Sequence, residues 1–135
     1  MHKITTKHIE NFAFESSIDA FKFKMDSSDA PTGSGAPSPK KLMLSALAGC
    51  TGIDVVSILQ KMKVDFTDFS IDIEASLTEE HPKIYDNVTI VYSIKVSATD
   101  KPKVERAVQL SKEKYCGVSA MFGYFAAIKW EINFL

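Results

Sequence analysis

The sequence predicts one domain that mixes helices with strands, in which strands apolar on one face cover one side of a long, unusually apolar helix. Three observations predict it. The chain has 135 residues, enough for one real core and too few for two. Between Leu42 and Leu59 the only charged residue is Asp54, so the helix is apolar on nearly every face and must be covered all round. Later segments alternate apolar and polar residues strictly, the pattern of half-buried strands.

Taken in order, residues Met1 to Phe12 are polar, lack the apolar run of a secretory leader and are expected to be mobile. Phe21, Phe23 and Met25 alternate with Lys22, Lys24 and Asp26, which predicts a strand with one buried face. Residues 27–39 hold three prolines, two glycines, four serines and a threonine, the composition of a long loop. Ser38 before Pro39 then reads as a helix N-cap with proline at the first helical position. The apolar helix follows, to Lys63. Phe69, Ile71, Ile73, Ala75 and Leu77 mark one strand; Val88, Ile90, Tyr92, Ile94 and Val96 mark its hairpin partner, joined across residues 79–86. Asp100 is placed to cap a second helix with the stripe Val104, Ala107, Val108 and Leu110. Tyr115, Cys116 and Gly117 interrupt it, a short apolar helix runs from Val118 to Phe125, and Ile128, Trp130, Ile132 and Phe134 mark a last strand.

The formal net charge of −1 offers no basic excess for nucleic acid or for a membrane surface. A membrane span is disfavoured too. The apolar run of 18 residues falls short of the roughly 20 required, and Asp54 within it would cost about 2.5–3.5 kcal/mol. The expected setting is cytoplasmic, where Cys50 and Cys116 stay mostly reduced and a static disulfide is disfavoured. Burial balance adds a further expectation. The short helices and one-faced strands cannot cover the long helix completely, so a second copy should complete its coat.

Cys50, between Gly49 and Thr51 within the helix, reads either as a small buried apolar residue or as a reactive thiol. Cys116 sits at a helix break, where the N–H groups of the next helix can lower a thiol pKa. Asp54 follows Cys50 by one turn and Ser57 extends the stripe. Its carboxylate would either oppose a thiolate or accept hydrogen bonds across a helix contact. Lys40, Lys41 and Lys114 are candidate cations, and Tyr115 a candidate donor. His2, His8 and His81 are scattered, no local Cys/His spacing suggests zinc, and there is neither a phosphate-binding loop nor a nucleophile elbow. No metal and no cofactor are expected.

The stretch PSPKKLMLSALAGCTGIDVV, Pro37 to Val56, resembles the first cysteine motif of the OsmC/Ohr family of osmotically inducible and organic hydroperoxide resistance proteins. EKYCGVS, Glu113 to Ser119, is similar to the second. The resemblance implies an α+β OsmC-like fold in a single domain over residues 1–135, with antiparallel sheets wrapped around a long buried central helix in an intertwined homodimer. It also implies that Cys50 is oxidised to a sulfenic acid by a small hydrophobic hydroperoxide and that Cys116 resolves it to a disulfide. A dithiol reductant, such as a lipoylated protein, would reopen that bond. The sequence departs from the family's peroxidases in one respect. They carry an arginine in the N-terminal strands and a carboxylate about ten residues before the first cysteine. Here the only arginine is Arg106, and Lys40 and Lys41 occupy the carboxylate region. Lys40, Lys41, Lys3 or Lys7 would have to supply the positive charge as a point charge, and slow peroxidase chemistry is expected. A non-catalytic dimer that binds a small hydrophobic molecule and a redox sensor are the alternatives on the same fold.

Overall fold

The polar opening of the chain folds into a three-stranded antiparallel meander. β1 (Ile4–Glu10), β2 (Ala13–Ile18) and β3 (Phe21–Met25) pair in order. Asn11 and Asp19 take left-handed backbone angles, φ 46° and 53°, as tight hairpin turns require. The computed structural model describes residues 1–27 and 35–135, so residues 28–34 of the expected loop lie outside the described residues.

The chain divides into two compact units, Met1–Ser45 and Ala46–Leu135. In the first, cross-strand register sorts the meander into two faces. Ile4, Ile18 and Phe21 form one row, and His8, Phe14 and Met25 another on the same face. Lys7, Glu15 and Lys24 line up on the opposite face. The strand predicted at Phe21–Met25 is present, but its apolar face is not buried: Phe21 is 75% exposed.

α1 (Pro39–Lys61) starts at the predicted proline. Leu47, Thr51, Val55 and Leu59, four residues apart, make its buried face. By length and composition α1 could also cross a membrane. Burial all round was expected of it; within this one chain only one face is covered, and Ile53 is 72% exposed. Gly49, Gly52, Ile53, Val56 and Gln60, with Ser57 and Phe69, line a shallow groove of about 410 Å³ on another face.

The second unit is built on β4 (Thr67–Leu77), β5 (Tyr85–Lys95) and β6 (Ala127–Phe134), with β5 in the centre. The central position buries Val88, Ile90, Tyr92 and Ile94 completely or nearly so. Matching rows run across the sheet: Ile73–Ile90–Trp130 and Ile71–Tyr92–Ile132. The apolar alternation read from the sequence is the inner face of this sheet. One expectation is corrected. β4 and β5 are antiparallel, but β6 runs parallel to β5, so the sheet is mixed. The cause is connectivity. α2 (Lys101–Leu110) and α3 (Gly117–Gly123) carry the chain back across the sheet, and a helical crossover delivers a parallel strand.

Asp100 precedes α2 but its side chain makes no cap. It accepts the Ser97 hydroxyl at 3.1 Å and pairs with Lys103 at 3.3 Å. After α2 the backbone widens into a π turn, Ser111–Tyr115, closed by the Cys116 N–H on the Ser111 carbonyl at 2.9 Å. That turn ends the helix and sets Cys116 at the start of α3.

Candidate functional site

Cys50 and Cys116 lie 66 positions apart in the chain and meet in the second unit. Their sulfurs and an Asp54 carboxylate oxygen all lie within 4.8 Å of one another. Both cysteines are free thiols. Cys50 is half-buried; Cys116 is buried, at 3% exposure. α1 places Cys50 and Asp54 one turn apart on the stripe beside its buried face, and the break after the π turn delivers Cys116 to that stripe.

Cys116 is the N-cap of α3, and its sulfur accepts the Ser119 N–H at 3.3 Å. The Ser119 hydroxyl donates to the Cys116 carbonyl at 3.0 Å. The helix start therefore faces the sulfur as the sequence suggested, but the lowered pKa expected there does not result. Burial pushes the Cys116 thiol above its ordinary value. The Ser119 side chain and N–H pull it down, and the adjacent Cys50 raises it again. Desolvation outweighs the two hydrogen bonds.

A chain of hydroxyls backs the cluster. Ser111 Oγ donates to Asp54 Oδ2 at 3.0 Å, Thr51 Oγ1 lies 2.8 Å from Ser111 Oγ, and the Tyr92 hydroxyl lies 2.6 Å from Thr51 Oγ1. The carboxylate fixes every proton in this row. Ser111 spends its hydrogen on Asp54, so it accepts from Thr51; Thr51 in turn accepts from Tyr92. The row runs in one direction, from phenol to carboxylate. Burial pushes the Tyr92 phenol well above its ordinary range; the Thr51 hydrogen bond opposes this, and the Cys116 and Asp54 charges add to it. Its ring stacks on Trp130, with centroids 6.1 Å apart and planes within 10°.

The chain matches the family model described as OsmC-like protein over residues 31–132. The chain belongs to the OsmC-like family. It is 39% identical over 93 residues to Protein YhfA of Escherichia coli K12, covering 69% of each chain. A hypothetical protein of Aquifex aeolicus VF5 superposes with a TM-score of 0.88 at 26% identity, over 100% of this chain and 96% of that one. The fold is shared with the organic hydroperoxide resistance protein OhrB of Bacillus subtilis, at TM-score 0.66 and 17% identity, over 98% of both chains.

Of the residues singled out in the sequence, the cluster of donor atoms comprises Cys50, Asp54 and Cys116. Lys3, Lys7, Lys40 and Lys41 are exposed residues of the first unit. Lys114 lies over the ring of Tyr115, 5.3 Å from its centroid. Arg106 donates to Gln109 on α2. Among the described residues, none of the groups that move the Cys116 proton is a cation. Asp54 has the second of the two uses foreseen for it, accepting a hydroxyl across a helix contact. Thr51, Tyr92, Ser111 and Ser119 were not anticipated at all. The one available signal was Thr51 itself, a hydroxyl one helical position from Cys50 in a stretch of helix with few polar residues.

Proposed function

We propose that this OsmC-like chain is a thiol-dependent redox protein that reduces organic hydroperoxides in the cytoplasm, working as a single domain over residues 1–135. The observation that carries the proposal is the meeting of the Cys50 and Cys116 sulfurs within 4.8 Å, both as free thiols. A disulfide needs about 2.05 Å between sulfurs, a distance side-chain rotation and a small backbone shift can close. Cys50 is the sulfur that a peroxide can reach, being half-buried where Cys116 is buried. Its thiolate attacks the distal oxygen of the hydroperoxide. The O–O bond breaks, an alcohol leaves with one proton, and Cys50 becomes a sulfenic acid. Cys116 then attacks that sulfur, water leaves, and the disulfide forms. In sum, two thiols and one hydroperoxide give one disulfide, one alcohol and one water. A dithiol reductant restores the thiols by exchange. The Asp54 carboxylate beside the thiols, and the absence of any arginine before Cys50 in the sequence, argue for a slow first step.

The test is direct. Reduced protein treated with one equivalent of cumene hydroperoxide is expected to lose two thiols per chain and gain an internal disulfide, read by thiol titration and intact mass. Cys50→Ser should abolish the loss. Cys116→Ser should leave a sulfenic acid on Cys50 that a dimedone-type probe captures. Thiols that outlast excess hydroperoxide for many minutes sink the proposal.

The working form we infer is a homodimer. Ile53 stands 72% exposed on α1, beside the groove of Gly49, Gly52 and Val56, and Phe21 is 75% exposed on the apolar face of the meander. Apolar surface of that extent calls for cover, and a second copy supplies it. Sedimentation at micromolar concentration should give a dimer, and Ile53→Glu should shift it to monomer. A wild-type chain that sediments as a monomer defeats the inference.

A further inference from the structure

We propose that the reduced cluster is also a binding site for a thiophilic divalent cation of the zinc type, held by Cys50 Sγ, Cys116 Sγ and a carboxylate oxygen of Asp54. The three donor atoms come from positions 50, 54 and 116, a combination that only tertiary structure assembles. The expectation of no metal came from short-range spacing, which cannot register such a set.

Bond lengths of about 2.3 Å to sulfur and 2.0–2.2 Å to oxygen place the ligand atoms of a tetrahedral zinc roughly 3.4–3.8 Å apart. The cluster's span, within 4.8 Å on every side, needs only a small contraction to meet that geometry. Joining the two sulfurs in a disulfide asks for a larger one. The donor chemistry fits as well. Two thiolates and a carboxylate are a soft-to-borderline set that suits zinc and rejects magnesium or calcium.

Supporting bonds are already in place. A metal site's ligands are normally oriented by an outer layer of hydrogen bonds. The Ser111 hydroxyl holds Asp54 Oδ2 at 3.0 Å, which leaves the other carboxylate oxygen available. The Ser119 N–H points at Cys116 Sγ at 3.3 Å. Because the hydroxyl row ends on Asp54, Thr51 and Tyr92 brace the same ligand. Entry is from the side of Cys50 and Asp54, both half-buried, and the fourth coordination position is left to water.

Binding one dication by two thiols and a carboxylate releases two protons and leaves a site of charge −1. The metal and the disulfide compete for the same sulfurs, so each state excludes the other. The inference uses the two cysteines of the redox reading but none of its peroxide chemistry.

Cobalt(II) is the probe. Reduced, metal-free protein is expected to bind one cobalt per chain, with the thiolate charge-transfer band and the intense visible bands of tetrahedral coordination, and one equivalent of zinc should bleach both. The disulfide form should show neither band. Cys50→Ser and Cys116→Ser should each remove or collapse the charge-transfer band. Asp54→Asn, which keeps shape and an acceptor for Ser111, should weaken affinity at least about tenfold, and Ser111→Ala about 10–100-fold. Circular dichroism of the metal-free variants separates lost ligation from lost folding. A reduced wild-type chain with titratable thiols and no charge-transfer band overturns the proposal. So does a weak octahedral spectrum that survives Cys116→Ser, or an affinity indifferent to Asp54. Oxidation by hydroperoxide in metal-free buffer is read separately, so failure here leaves the redox reading to its own test.

Discussion

Thr51→Val is expected to destabilise the fold by about 2–4 kcal/mol, although the two side chains have nearly the same shape. Thr51 is fully buried, and its hydroxyl is the middle member of the row from Tyr92 to Asp54. Valine leaves the Tyr92 hydroxyl without an acceptor and Ser111 without its donor. Each stranded group then bears its full desolvation cost in a dry core. Among the described residues, no buried side-chain nitrogen or oxygen lacks a partner, so the loss has nothing nearby to absorb it. Removing both ends of the broken bond should be gentler. Thr51→Val with Tyr92→Phe is expected to cost less than the two single changes added, with a coupling of about 0.5–3 kcal/mol in urea melts. Strict additivity would show that the row is not a connected unit.

Stability should also fall steeply with alkaline pH. Cys116 and Tyr92 both hold their protons more tightly in the folded chain than their ordinary values of 9.0 and 10.0. Below pH 9 both groups are protonated, folded or unfolded, and their contribution is complete. Above that, the unfolded chain sheds protons that the folded chain retains, so rising pH favours unfolding. Each group adds a slope of up to about 1.4 kcal/mol per pH unit, Cys116 first and Tyr92 from about pH 10. Melts of the reduced protein between pH 8 and 11 would measure it. Cys116→Ser should flatten the first part and Tyr92→Phe the second; curves that do not change would show that these groups are not the source.

How much of this was legible beforehand depends on contrast between faces. The sheet of β4, β5 and β6 was readable because Ile71, Ile90, Tyr92 and Trp130 turn inward and are more buried than the residues on either side of them. β1 and β2 were not. Every residue of β1 is exposed, so no apolar period exists to detect. In β2 the usual order is reversed: Ala13 and Ser16 are buried, at 3% and 1% exposure, while Phe14 and Ile18 are each 40% exposed. The two cysteines could be singled out by residue type and by family resemblance. Their polar support could not, because Thr51, Tyr92 and Ser111 come from three separate elements and carry no local pattern. The parallel pairing of β6 also escaped, since alternation gives a strand's faces and not its direction.

That pairing bears on how the chain reaches its folded form. The β4–β5 hairpin closes between Leu77 and Tyr85, whereas β6 first meets β5 at residues 40 positions apart, Ala127 against Asn87. Closing the longer loop costs roughly 1–2 kcal/mol more in chain entropy. β6 is therefore expected to arrive after the hairpin. Until it does, one edge of β5, the most buried strand, offers unpaired amides and carbonyls to any passing chain. The final strand thus guards a nascent molecule against sticking to its neighbours, a service separate from any chemistry at the cysteines.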